Sequence, residues 1–177
     1  TPGVAYLTRS LRNQFGLVIS ASHNNYLDNG IKLFAGTGEK ISKDIEKKIE
    51  KLLAGDLKPV KTAELGKAQR FDESGDRYIE FCKSTVPPDV SFDSLRIVLD
   101  CANGACYKVS PSIFRELGAE VISIGTEPDG YNINHECGST HPERAQEEVI
   151  KQRADFGIAL DGDGDRVVLI DRKGNIL

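Results

Sequence analysis

The 177-residue chain has no methionine and no tryptophan, and it opens on Thr1. Without an initiator methionine, and with an end at Leu177 straight after an expected strand and turn, it reads as a piece of a longer protein. A complete protein that has lost its first residue is the alternative. No apolar run approaches the roughly 18 residues needed to cross a bilayer, and no signal peptide opens the chain. Basic blocks are also missing, and the formal net charge is −4. Nucleic acid and membranes are therefore not expected as partners. Cysteines are few, and Cys82, Cys101, Cys106 and Cys137 follow neither a CxxC nor a zinc-finger spacing. They read as reduced thiols of a cytoplasmic protein. His135, Cys137 and His141 fit no structural zinc pattern and are expected to be loop residues. Internal repeats and low-complexity segments are absent too. What remains, 39% hydrophobic and 28% charged, suits a globular chain of one or two domains.

The first part holds "TPGVAYLTRSLRNQF", with Val4, Leu7, Leu11 and Phe15 at helical spacing and Pro2 suited to a first turn. "GLVIS" has the length and β-branching of a buried strand. A polar loop, "ASHNNYLDNG", leads to a second strand, "IKLFAG", and "GTGEK" reads as a hairpin turn. "KDIEKKIEKLLAG" predicts a helix with Ile45, Ile49, Leu52 and Leu53 on one face. "DLKPVKTAELGKAQRF" is a linker, and the helix "DESGDRYIEFCKSTV" stops at Pro87-Pro88. Strands and helices then alternate: "LRIVLD", the turn "CANGA", a helix with Ser110 as cap before Pro111, "EVISIG", a long loop, "HPERAQEEVIKQRA", "DFGIALD" and "RVVLID". That alternation predicts an α/β fold with a largely parallel sheet. Active residues in such sheets lie at the carboxyl ends of strands.

Two loops sit at such ends. In "GIALDGDGDRVVLID", Asp161, Asp163 and Asp165 alternate with glycines. Their charges repel unless a cation gathers them, and hard carboxylate oxygens suit Mg²⁺ or Ca²⁺. An EF-hand is excluded, because its sixth and twelfth positions would be Arg166 and Arg172. A haloacid-dehalogenase-type phosphatase with Asp161 as nucleophile is a rival, although Asp165 stands where its usual threonine or valine would be. A solvated acidic turn is the bland alternative. Mg²⁺ seldom takes all its ligands from protein, so three aspartates leave room for a phosphate oxygen.

The second loop, "GLVISASHNNYLDNGIKLF", places Ser20, Ser22, His23, Asn24 and Asn25 after a strand and Lys32 at the start of the next. A phosphorylated serine is a phosphoryl donor, given a cation on the phosphate and a nearby group to move protons. An ordinary polar loop is an equally good reading of the spacing alone. A Ser–His hydrolase is a weaker one, since no GxSxG elbow is present.

"ISASHNNYLDNGIKLF" resembles the phosphoserine loop of the α-D-phosphohexomutases, whose pattern is close to [ST]-A-S-H-N-P followed by D-N-G-x-K, and "DGDGDR" is similar to their magnesium loop. "TPGVAYLTR", "RYIEFCKST", "DCANGA", "FRELGAEV", "PDGYNIN" and "CGSTHPE" resemble the family's bacterial amino-sugar branch. The resemblance runs over the whole chain.

It implies two α/β units of a normally four-domain protein, with mixed, largely parallel sheets flanked by helices. Residues 1–71 would be the later part of domain I with the phosphoserine loop, and 72–177 domain II with the metal loop. Ser22 would carry the phosphoryl group. Asp161, Asp163 and Asp165 would hold Mg²⁺ together with a phosphate oxygen on Ser22. Arg166 would add positive charge beside that phosphate, Lys32 would be the general acid/base, and His23 would support the loop. The substrate would be a sugar phosphate, glucosamine 6-phosphate or glucosamine 1-phosphate. Glucose or glucosamine 1,6-bisphosphate would be the activator, and the full-length protein would be a homodimer. A glucose or mannose phosphate mutase of the same family, or a non-catalytic Mg²⁺- and phosphate-binding module, are the alternatives. The family has proline where Asn25 stands, and asparagine leaves the loop less rigid. Loops of two further domains that orient the sugar lie outside this sequence, so the 177 residues alone are expected to be inactive.

Overall fold

Ile97, Val98 and Leu99 are all fully buried, because the strand they form is covered on both faces. The computed structural model describes residues 1–177. Eleven regular helices and strands follow in chain order: α1 (Pro2–Ser10), β1 (Phe15–Ser20), β2 (Gly30–Ala35), α2 (Lys43–Leu53), α3 (Ser74–Ser84), β3 (Arg96–Asp100), α4 (Val109–Glu116), β4 (Glu120–Ile124), α5 (Glu143–Gln152), β5 (Phe156–Leu160) and β6 (Val167–Asp171).

The larger sheet has the order β4-β3-β5-β6. β3 runs parallel to β4 and β5, and β6 closes the edge antiparallel to β5. Val98, Ala159 and Ile170 meet Ala145 and Val149 of α5 on one face. Ile97, Leu99 and Ile158 pack with Ala119, Phe114 and Tyr107 on the other. This two-sided cover is why β3 reads as an unbroken apolar run. Ile97, Val98 and Leu99, each fully buried, contribute roughly 1.5–3 kcal/mol apiece. The carboxyl ends of β3 and β5 come out side by side, since Asp100 is in register with Ala159.

The smaller sheet is a single antiparallel pair, Phe15↔Ala35 through Ser20↔Gly30. α1 covers one of its faces, where Gly16 is buried and a Cβ would meet Val4 at 3.3 Å. The other face is largely exposed, with Ile19 71% and Ile31 67% exposed. The expected buried "GLVIS" strand is therefore buried on one side only, because on the other side α2 (Lys43–Leu53) stands across an open groove. Nor does the first helix run to Phe15. It ends at Ser10, the chain turns at Arg12 in a left-handed conformation (φ 55°), and Phe15 begins β1. The apolar stripe of α2 forms as the spacing predicts, lining a groove with Leu17, Ile31 and Leu33, but Leu52 and Leu53 remain 67% and 64% exposed. In α4 the expected cap moves: the helix starts at Val109, and Ser110 lies buried inside its first turn.

The segment from Gly55 to Phe71 is exposed throughout and carries only a short 3₁₀ turn at Thr62–Glu64. α1 and α3 also touch, where Tyr6 stacks on Phe81 with ring centroids 4.1 Å apart.

Candidate active site

β1 ends at Ser20 and β5 at Leu160, and the loops that leave these strand ends meet. Ser22 Oγ donates to Asp163 Oδ1 at 3.4 Å, across 141 residues of sequence. Lys32, paired with Val18 across the hairpin, reaches the same point. Its Nζ lies 3.3 Å from Ser22 Oγ, 2.5 Å from Asp163 Oδ2 and 3.3 Å from Asp165 Oδ2. The Thr1 hydroxyl also donates to Asp163.

The acidic turn is shaped by two glycines with different tasks. Gly164 has φ 68°, a conformation that side chains resist. Gly162 sits where a Cβ would lie 2.7 Å from the Ser22 carbonyl and 2.6 Å from Asn134 Nδ2. The D-G-D-G-D alternation thus lets the chain curl and lets the serine loop approach.

Carboxylate oxygens of Asp161, Asp163 and Asp165 lie within 4.8 Å of one another. Asp161 is fully buried. Its Oδ1 accepts from the backbone N–H groups of Asp165 and Arg166, at 3.0 and 3.1 Å. Its Oδ2 is buried with no hydrogen-bond partner. A buried carboxylate oxygen is seldom left so. Three hard oxygen donors, one of them buried and unpartnered, fit a divalent cation such as Mg²⁺.

The electrostatics follow from this packing. Burial pushes the Asp161 carboxyl up, and the charges of Asp163 and Asp165 add to that against its backbone hydrogen bonds. Burial works the same way on Asp163, but hydrogen bonds from Lys32 and Thr1 and the Lys32 charge outweigh it, and its carboxyl is held below the usual range. Desolvation opposes the Lys32 ammonium, yet Asp163 and Asp165 hold its pKa above that of a free lysine. Lys32 is therefore a cation at neutral pH.

Arg166 lies at the rim, half exposed, with Nε 3.9 Å from Asp161 Oδ2 and 4.0 Å from Asp165 Oδ1. His23 is not drawn into the cluster. Its Nδ1 is buried without a partner, and it lines a neighbouring cavity with Tyr26, Tyr131, His135 and His141. All four cysteines are free, and burial pushes the Cys137 thiol up to about 11.

Sequence reasoning missed two residues here. Asp100, fully buried at the end of β3, accepts from the Ala102 and Gly138 N–H groups, each at 2.9 Å. It joins the turn after β3 to the loop before α5. Asn134, in that loop, donates to the carbonyls of Ser22 and Asn24. The available signal was that both lie in stretches that resemble the family, "DCANGA" and "PDGYNIN", but the motifs carry no mark of what Asp100 and Asn134 would bond.

The models of two domains of one family match this chain. Phosphoglucomutase/phosphomannomutase alpha/beta/alpha domain I matches residues 1–58, and domain II of the same family matches residues 76–174. A protein named phosphoglucosamine mutase from Bradyrhizobium sp. (strain ORS 278) is 59% identical over 179 residues, covering 100% of this chain and 40% of the relative. One of the same name from Thioalkalivibrio sulfidiphilus is 55% identical over 177 residues, covering 100% and 39%. The crystal structure of a phosphoglucomutase/phosphomannomutase family protein from Burkholderia thailandensis superposes with a TM-score of 0.70 at 27% identity, covering 92% of this chain and 34% of that one. This chain spans about 40% of the length of the curated relatives it matches.

Proposed function

The chain belongs to the phosphoglucomutase/phosphomannomutase family, and from that premise we propose that it carries the phosphoserine and the cation-binding turn of a mutase interconverting glucosamine 6-phosphate and glucosamine 1-phosphate. Residues 1–71 supply the serine loop and residues 72–177 the acidic turn. The observation that carries this reading is the meeting of Ser22, Lys32 and Asp163 at one point, with Ser22 Oγ and Lys32 Nζ 3.3 Å apart. The relatives' names supply the amino sugar.

Transfer from phosphorylated Ser22 breaks the bond between phosphorus and Oγ and forms one to the free hydroxyl of the sugar. The hydroxyl loses its proton to water, and Ser22 Oγ gains one. Lys32 is placed to deliver that proton to Oγ and, being held charged by its carboxylate neighbours, has it to give. The resulting 1,6-bisphosphate turns around and returns its other phosphate to Ser22. Asp161, Asp163 and Asp165 would hold a magnesium ion, which supplies charge stabilisation at the transferring phosphoryl oxygens. Arg166 at the rim faces the same charge, where a planar guanidinium suits paired oxygens. Asp161 is a poor nucleophile, since it is fully buried and its Oδ1 takes two backbone donors. This weighs against the phosphatase alternative.

Intact-mass analysis after incubation with glucose 1,6-bisphosphate and Mg²⁺ tests the reading. A gain of about 80 Da, one phosphoryl group, should map to Ser22 and disappear in Ser22→Ala. Phosphate on Asp161 would support the phosphatase, and no covalent phosphate the binding module. The 177 residues alone should show little or no turnover of glucosamine 6-phosphate, because contacts that orient the sugar are expected from the rest of the longer relatives. Full-enzyme rates would reject that last point.

A further inference from the structure

Ser22 adopts φ 54°, a left-handed conformation that L-residues resist and that persists only where neighbours impose it. Its N–H donates to Ser20 Oγ at 2.9 Å, a bond within its own loop. Lys32 and Asp163 meet the Ser22 hydroxyl, and the side chain that reaches its backbone from outside the loop is Asn134. Asn134 Nδ2 donates to the Ser22 carbonyl at 3.0 Å and to the Asn24 carbonyl at 2.8 Å. It thereby brackets His23 from a position 112 and 110 residues away.

Asn134 is itself anchored. It is 8% exposed, its φ is 57°, and its N–H donates to the Ala102 carbonyl at 2.9 Å. Ala102 N–H is in turn held by the buried carboxylate of Asp100 at the end of β3. A run of hydrogen bonds therefore leads from the central strand of the larger sheet to the backbone of the serine. The acidic turn closes against the same clamp, since a Cβ on Gly162 would lie 2.6 Å from Asn134 Nδ2 and 2.8 Å from Ile133.

We infer that Asn134 is a positioning residue that holds Ser22 in register with the acidic turn. The chemistry requires a primary amide. One nitrogen carries two hydrogens, and each meets a carbonyl oxygen. The reversed amide would press its oxygen against both carbonyls, so the orientation is settled by the partners. Asn134 Oδ1 has no partner, so the donors do the holding. Aspartate has the shape without the donors, and leucine has neither donors nor charge.

This inference rests on the reading of Ser22 and the acidic turn as one site, and its test separates the two. In the 177-residue chain without metal, amide hydrogen exchange across residues 21–24 should speed up at least tenfold in both Asn134→Leu and Asn134→Asp. Exchange in β3 and β5 should stay within twofold of the unsubstituted chain, which establishes that the variants fold. MgCl₂ titration followed by amide chemical shifts should move residues 22–24 together with 161–165 in the unsubstituted chain. In the variants the shifts at 161–165 should persist and those at 22–24 should fall by half or more. Unchanged exchange at 21–24 in the folded variants overturns the clamp, whatever the metal does. No Mg²⁺ response anywhere in the unsubstituted chain overturns the cation-site reading and leaves the clamp to be judged by exchange alone.

Discussion

Lys32 and Asp163 form the tightest ion pair of the site, 2.5 Å between Nζ and Oδ2, with the carboxylate only 3% exposed. One partner comes from the small antiparallel sheet and the other from the turn after β5. Their contact joins the loop region of the smaller sheet to that of the larger one. The lysine also spans Ser22 and Asp165, so it neutralises the turn while touching the oxygen that would carry phosphate.

Removing that ammonium should expose the repulsion it masks. Lys32→Gln is expected to lower the stability of the metal-free chain by about 1–2 kcal/mol, less than a fully buried pair because the lysine is 26% exposed. Mg²⁺ should close most of that gap and bind the variant more tightly than the unsubstituted chain. Denaturant melts with and without MgCl₂ read both effects. A variant with unchanged metal-free stability and unchanged Mg²⁺ affinity would sink this account.

Asp161→Asn should trade binding for stability. An amide keeps the acceptor for the Asp165 and Arg166 N–H groups and removes a buried charge beside two others. The metal-free variant is expected to be more stable by roughly 0.5–2 kcal/mol. At ten times its dissociation constant, Mg²⁺ should add about 1.4 kcal/mol to the unsubstituted chain and nothing to the variant. Calorimetry at several Mg²⁺ concentrations, with EDTA as the zero point, checks it.

Gly162→Ala tests the close approach of the two loops. The new Cβ meets a backbone carbonyl and a clamped amide at 2.7 and 2.6 Å, so one loop must move, at about 1–3 kcal/mol. Gly66→Ala, with nothing within 4 Å of the new atom, should change stability by no more than about 0.5 kcal/mol. Equal melting curves for the two variants would show that the loops are not in contact.

Ser22→Gly and Ser22→Ala both remove the hydroxyl, yet they should differ. Glycine accepts φ 54° freely and alanine does not. Ser22→Gly is expected to exceed Ser22→Ala in stability by about 1 kcal/mol. The reverse order in chemical denaturation would mean that the serine is not in the left-handed region.

The alternation of strands and helices in the second half was legible because its periodicities are local, and so were the acidic turn and the serine loop. The spacing predicts a helix through Phe15 for a related reason: four apolar residues at helical spacing look alike whether the last one belongs to a helix or starts a strand. The reversal at Arg12 decides between them, and no residue type there announces it. The composition of β1 suits a buried strand, but β-branched residues record a preference for strand, not the number of layers that cover it.

By itself the sequence singled out the candidates for chemistry: three carboxylates, a serine, a lysine and an arginine, each in a loop or at a strand end that local pattern places. That Ser22 meets the acidic turn was implied by the resemblance, and tertiary structure decided that Asp163 is the carboxylate it bonds and that His23 stands apart. It alone brings Asn134, from a long loop, to the carbonyls of Ser22 and Asn24. Hydrogen bonds between residues more than a hundred positions apart depend on how sheets and helices pack. That packing follows from the sum of many weak burial terms and leaves no mark at any single position.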